Sequence, residues 1–352
     1  MNIKNVFKTK NYKIISLIVL GLLLLILTIL FYTRVINTSW NPFNLIETRR
    51  VYVGIRNLSQ EKIKDYDIEG GVGFLSKERT LPGFNVNFSL IGTSDNSEQN
   101  PKLLSDVKIW TELLGFEVSL KAKTMLLNQN FYFFITDIPK IPFASTSSLE
   151  AMKNNWVKAS IPENYFQVKE EISKELKNLL GRKNIIVVEK KYKNETVNGN
   201  ECYHYLVKVK PKALKSLILD ALKKAKESGK QNGNVNEIKL QEAIDNFSKN
   251  FDENYQKLGD LSFDVWITKK DKILTKVKFY KEIDLSQFSP KIEKQPVILT
   301  LKLDGLFEKR NEKLMIQEPK EYKNFQEILE LEKQQKEEQK EEQKEGQKEE
   351  KK

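Results

Sequence analysis

Residues 197–209 read VNGNECYHYLVKV, and this stretch decides the class of fold. Asn198-Gly199 is a dipeptide preferred in two-residue β-hairpins, because both residues accept the positive φ that such a turn needs. The segment VVEKKYK precedes the dipeptide and ECYHYLVKV follows it, and both are rich in residues typical of strands. The sequence therefore predicts an antiparallel hairpin in the middle of the chain.

Apolar and polar residues alternate with period two in further segments, which is the pattern of a strand with one buried face. These segments are 84–90, 116–123, 263–268, 273–279 and 297–303. Two other segments, FYFFI at 131–135 and IIVV at 185–188, are apolar on both sides. They predict strands that are covered on both faces.

Helical patterns lie between these strands. Ser160 and Glu163 have the spacing of a capping box and predict a helix from there to Leu180, which Gly181 ends. A second helix begins at Pro211 and a third spans 237–258, each with a single apolar stripe. This order of elements predicts an α+β fold, an antiparallel sheet with helices packed on one face.

Residues 14–32 read IISLIVLGLLLLILTILFY, nineteen residues without a charge. At about 1.5 Å per residue the run spans a hydrocarbon core of roughly 30 Å. Four lysines and no acid precede it, so the positive-inside rule keeps the N-terminus in the cytoplasm and the main domain outside. A cleaved secretory signal is the alternative, although no small-x-small site follows the run. We expect, in order along the chain, a cytoplasmic arm over 1–13, a single-pass transmembrane helix over 14–32, a juxtamembrane linker over 33–50, an extracytoplasmic domain over 51–320 and a charged low-complexity tail over 327–352.

The net charge of +11 is unevenly distributed. The tail over 327–352 holds ten Glu and seven Lys, and its apolar residues form no stripe that could fold by burial. The positive charge therefore lies in the arm and the main domain. It is either an ordinary solvated surface or a surface that attracts anionic lipid headgroups or an anionic wall polymer. Nucleic acid is not an expected partner, since no motif of a nucleic-acid-binding fold is present.

Residues that carry catalytic or metal chemistry are scarce. The chain has one histidine, His204, and one cysteine, Cys202, which excludes a zinc site of the usual composition and an internal disulfide. We expect His204 to be a packing or surface residue and Cys202 to be a buried structural thiol. The sequence predicts no catalytic residue, no metal ligand and no cofactor.

Three segments carry a resemblance to a known family. They are NWVK at 155–158, the hairpin VNGNECYHYLV at 197–207 and DVWITKKD at 264–271, separated by a helix and by a helical insert. In this order they resemble the "gkW" strand, the "vnG" hairpin and the "vWid" hairpin of the LolA/LppX-like lipoprotein-carrier superfamily. The resemblance covers about residues 60–310.

The resemblance implies a strongly curved antiparallel sheet, a half-barrel, with helices on its concave face and an apolar cavity between them. The residues that would line this cavity are inward aromatic and aliphatic side chains: Phe84, Val86, Phe88, Phe116, Leu120, Phe263, Val265 and Val277. In the alternative interpretation the same residues form an ordinary filled core. The expected transmembrane anchor departs from the family, whose members are released or carry a lipid on a cysteine.

Three hypotheses follow for the function. The first is a membrane-anchored, non-enzymatic cell-envelope protein that binds a lipid or another apolar ligand. The second is a fully packed envelope interaction module that binds a protein or an anionic polymer. The third is an enzyme whose site the sequence does not reveal.

Overall fold

The computed structural model describes residues 45–76, 83–98, 100–113, 116–138, 150, 152–160, 185–232, 237–288, 297–328 and 330. The expected arm, the apolar run 14–32, the helix after Ser160 and nearly all of the charged tail lie outside these residues. Among the helices that are described, none is both long and apolar enough to cross a membrane.

Three α-helices, one 3-10 helix and thirteen strands have all their bounds among the described residues, and residues 325–328 are also helical. The helices are α1 (Leu45–Gln60), α2 (Pro211–Asn232) and α3 (Glu237–Leu258), and the 3-10 helix is Leu285–Phe288. The strands are β1 (Ile63–Ser76), β2 (Phe84–Asp95), β3 (Lys102–Leu113), β4 (Phe116–Leu127), β5 (Asn130–Asp137), β6 (Trp156–Ser160), β7 (Ile186–Lys191), β8 (Glu195–Val197), β9 (Asn200–Val209), β10 (Ser262–Thr268), β11 (Leu274–Asp284), β12 (Val297–Lys309) and β13 (Lys323–Asn324).

These elements form two compact units, and β1 contributes its first part to one and its second part to the other. The described residues of unit 1 lie within 45–61, 69–85 and 185–309. Those of unit 2 lie within 62–68, 86–160 and 310–330. The expectation of an extracytoplasmic domain over 51–320 stays a prediction, and α1 begins six residues before it, at Leu45.

Unit 1 is an antiparallel sheet with the strand order β1-β12-β11-β10-β9-β7, and β8 pairs with β9. The turn between β8 and β9 has positive φ at Asn198 (46°) and Gly199 (76°), which confirms the predicted hairpin. Helix α1 packs against β7, β10 and β11, and α2 packs against α3. Val51, Ile55 and Leu58 are the buried stripe of α1. Before the expected domain start, Glu47 and Thr48 in the first turn bond to Tyr205 and to the backbone of Val188, so these contacts hold the helix from its beginning.

Unit 2 is an antiparallel meander with the strand order β6-β5-β4-β3-β2-β1. The segment over residues 316–328 packs along the edge strand β6 and its neighbour β5. Ile316 packs against Tyr132, strand β13 pairs with β6 in parallel, and Phe325 and Ile328 pack beside Val157. This segment covers the edge strand β6, which would otherwise offer unpaired backbone groups.

Each of the strands predicted from alternation or from a continuous apolar run is present, so the predicted α+β class is confirmed. The patterns considered above did not predict β1 or β3, although in β3 Val107 and Ile109 alternate with the charged Asp106 and Lys108. The segment 131–135 was expected to be covered on both faces. Tyr132 and Ile135 are buried in it, whereas the other three side chains keep part of their surface in solvent.

Candidate functional site

An apolar surface lies on one side of strands β2, β3 and β4 in unit 2. The strand register places Phe88 beside Ile109 and Ile109 beside Leu120, so these three side chains form one row across the sheet. Because side chains alternate between the two faces of a strand, residues two positions away lie on the same side. We call this surface the apolar face and define it by Val86, Phe88, Val107, Ile109, Phe116 and Leu120.

The apolar face keeps much of its area exposed. Ile109 is 41% exposed and Phe116 is 75% exposed, while Val86, Phe88, Val107 and Leu120 are half-buried. Contiguous apolar surface of this kind on a folded unit marks sites for ligands, membranes or partner proteins. Leu120 marks one boundary, since it packs against the buried cluster that contains Ile135 and Val157.

The opposite side of the same strands is mostly polar. Lys108 forms an ion pair with Glu117 at 2.9 Å, and its ammonium lies 4.7 Å from the ring centroid of Trp110. Ile91 is the apolar exception in β2, 49% exposed and beside Asp106 in the register. The two sides of this sheet therefore differ in chemistry, and each carries an exposed isoleucine.

At one end, the apolar face borders on buried polar groups. The hydroxyl groups of Tyr66 and Ser105 are hydrogen-bonded to each other, and burial raises the pKa of Tyr66. Gly92 lies directly beside them, and an added Cβ would be 2.8 Å from the Tyr66 oxygen. The exposed part of the face is therefore the end that holds Phe88 and Ile109.

The eight residues predicted to line a cavity fall into both units. Val86, Phe88, Phe116 and Leu120 lie together on the apolar face of unit 2. Phe84 precedes them on β2 and is 42% exposed, within the part of that strand that belongs to unit 1.

The other three predicted lining residues lie in the buried part of unit 1. Val265 and Val277 are register partners, and the ring of Phe263 stacks on Phe279 at 4.7 Å. Phe263, Val265 and Val277 are all less than 10% exposed. They are therefore brought together with one another in the unit 1 core, and their role in lining a cavity stays a prediction.

Ile109 and Val107 are the residues of the apolar face that sequence reasoning missed. Both lie on β3, which was not predicted, and the alternation of Val107 and Ile109 with Asp106 and Lys108 was the signal that could have found them. They belong to the apolar face because the register places β3 between β2 and β4.

His204 and Cys202 lie on the same side of β9 in unit 1, opposite to Tyr203 and Tyr205. The imidazole lies between the rings of Tyr192 and Trp266, with centroids 4.4 and 4.1 Å away. Its two nitrogens lie 2.9 Å from carboxylate oxygens of Glu195 and Asp264. This arrangement fits a packing residue that ties β8 to the sheet.

The thiol of Cys202 is fully buried, as predicted, and burial raises its pKa. Glu195 also accepts a hydrogen bond from the indole of Trp266, which lowers the pKa of its carboxyl group. Within the described ranges, no group of three or more His, Cys, Asp or Glu side chains is placed to hold a metal ion.

No protein-family model matches the chain, and no curated protein matches it either. Solved structures that are similar to it include the following two. LprF from Mycobacterium bovis is 11% identical, with 80% of this chain and 99% of that chain covered, at a TM-score of 0.38. The lipoprotein LppX from Mycobacterium tuberculosis is 9% identical, with 78% of this chain and 100% of that chain covered, at a TM-score of 0.35. LppX also gives its name to the superfamily that the sequence resembles.

Proposed function

We propose that this chain is a membrane-anchored, extracytoplasmic protein that binds a lipid or another apolar ligand, without catalysing a reaction. The apolar face of unit 2 carries the proposal. It combines aromatic and branched aliphatic side chains with substantial exposure, which is the chemistry that acyl chains prefer. The half-barrel shape and the concave position of the helices belong to the same proposal.

The apolar run Ile14–Tyr32 and the lysines before it support the anchor and its orientation. The orientation can be tested with a C-terminal epitope on the full chain in spheroplasts. External protease should remove the epitope while the spheroplasts stay intact. An epitope that is cut only after lysis would refute an extracytoplasmic domain.

Ligand binding is best tested by photo-crosslinking, because the ligand is unidentified. The full chain is placed in lipid nanodiscs that contain a fatty acid with a diazirine in its acyl chain. After illumination, mass spectrometry locates the labelled residues. We expect labels on the peptides that contain Phe88, Ile109 and Leu120. Labels confined to residues 14–32, or spread equally over both sides of β2–β4, would refute lipid binding at the apolar face and would favour the alternative of a protein-binding surface.

A further inference from the structure

Two segments that meet where the chain enters unit 1 are rich in cations. Helix α1 begins at Leu45, and its first turns lie against β7, the edge strand of this unit. Residues 45–50 and 185–193 together contain five cations and two carboxylates, an excess of three positive charges. We call this region the cationic corner and define it by Arg49, Arg50, Lys190, Lys191 and Lys193.

Several contacts hold the start of α1 in this position. The Thr48 hydroxyl accepts a hydrogen bond from the backbone N–H of Val188 at 3.0 Å, and the Tyr52 hydroxyl accepts one from Ile186 at 2.9 Å. Glu47 binds Lys191 at 3.1 Å and accepts a hydrogen bond from the buried Tyr205 hydroxyl at 2.7 Å. The corner is therefore part of the folded unit and does not depend on flexible side chains alone.

Four of the five cations, Arg49, Lys190, Lys191 and Lys193, are exposed to an outside partner. Arg50 is half-buried, forms an ion pair with Glu47 at 2.7 Å and lies 4.7 Å from the ring centroid of Tyr203. Ile46, on the first turn of α1, is 67% exposed. An anionic membrane surface attracts cations through its headgroups and accepts an exposed aliphatic side chain into its apolar interior.

The short distance along the chain between the corner and the apolar run 14–32 indicates which membrane the corner would contact. Twelve residues, 33–44, separate the end of the apolar run from the first residue of α1. Fully extended, twelve residues reach at most about 40 Å. If the run spans a bilayer, the cationic corner stays within this distance of the headgroups, so the local concentration of anionic lipid around it is high.

We propose that the cationic corner docks unit 1 on the anionic headgroups of the bilayer that anchors the chain. This inference rests on the proposed anchor, since the tether supplies the proximity. Docking fixes the side of unit 1 that faces the membrane. The interaction weakens with salt, because exposed charges are screened over about 8–10 Å at 0.1–0.15 M ionic strength.

The test uses the full chain in nanodiscs of zwitterionic lipid or of zwitterionic lipid with about one third anionic lipid. Ile46→Cys carries a fluorescent label, and a quencher is attached to lipid headgroups. The native Cys202 is fully buried and is not expected to react. Tyr280→Cys, at a 57% exposed position on β11, is the control label site. We expect strong quenching at position 46 only in anionic discs, and its loss at 0.5 M salt.

Charge-neutral variants separate docking from proximity. Arg49→Gln with Lys193→Gln should lower the ratio of docked to free protein about fivefold for each cation removed. Lys278→Gln with Lys302→Gln removes the same charge from β11 and β12 and should have little effect. Equal quenching at position 46 in both kinds of disc, unaffected by salt and by the variants, would overturn the docking inference. Failure of the chain to remain in any nanodisc would overturn the anchor itself, so the two failures are distinguishable.

Discussion

Ile109 and Ile91 offer a matched pair of substitutions on opposite sides of the same sheet in unit 2. Full burial of an isoleucine side chain is worth about 1.5–3 kcal/mol. Ile109 is 41% exposed and Ile91 is 49% exposed, so the part that each already buries corresponds to about 0.8–1.8 kcal/mol. Ile109→Ser and Ile91→Ser should therefore lower the free energy of unfolding by similar amounts.

The two substitutions should differ in their effect on ligand binding. A ligand that covers the apolar face can bury at most the exposed 41% of Ile109, which corresponds to about 0.6–1.2 kcal/mol of binding free energy. Ile109→Ser should thus weaken binding about three- to eightfold. Ile91 lies on the polar side, so Ile91→Ser should leave the affinity unchanged.

Both quantities can be measured on the anchored full chain. Photo-crosslinking at increasing mole fractions of the diazirine fatty acid gives the half-saturating fraction, and pulse proteolysis across a urea series gives the free energy of unfolding. Equal losses of affinity for the two variants would show that the effect follows stability. An unchanged affinity for Ile109→Ser would show that the ligand does not contact the apolar face. Either result would refute the reasoning.

Three further predictions concern stability. Gly92→Ala should destabilise unit 2 by about 1–3 kcal/mol in a urea series, because the added Cβ would be 2.2 Å from the Leu104 carbonyl oxygen, which cannot move aside. Gly199→Ala should cost only about 1 kcal/mol, since nothing lies within 4 Å and only the positive φ of 76° is unfavourable; a larger loss than for Gly92→Ala would contradict this contrast. Glu195→Gln should flatten the dependence of stability on acid pH. The hydrogen bond from Trp266 lowers the pKa of Glu195 in the folded chain, so its contribution is present above the unfolded pKa and is lost as pH falls through the folded pKa. Melting temperatures between pH 6 and pH 3 should therefore fall more steeply for the parent chain than for the variant, and parallel curves would contradict the assignment.

Much of the fold could be predicted because its signals are local. Alternation located β2, β4, β10, β11 and β12, and the Asn198-Gly199 turn located the hairpin of β8 and β9. The start of α1 was missed because its signal is not local. Its buried stripe, Val51, Ile55 and Leu58, is recognisable only as the partner of the strands that it covers.

The candidate site was predicted in part. The alternation in β2 and β4 placed Val86 and Phe88 on one side of β2 and Leu120 on one side of β4, and the register joins the two sides through β3. That these residues line a ligand site stays a prediction. It could not separate them from Phe263, Val265 and Val277, which have the same pattern but are buried in unit 1. Periodicity reports which side of a strand is apolar, but it does not report whether that side is covered.

The sequence by itself determined the strand periods, the hairpin, the helical stripes and the apolar run 14–32, because each depends on residues close together in the chain. Only the tertiary structure decided that the chain forms two compact units, that β3 places Ile109 beside Phe88, and that the first turn of α1 bonds to β7 through Glu47 and Thr48. Exposure and charge clustering depend on which distant segments pack together. The apolar face and the cationic corner are therefore properties of packing, which the order of residues contains but local patterns do not reveal.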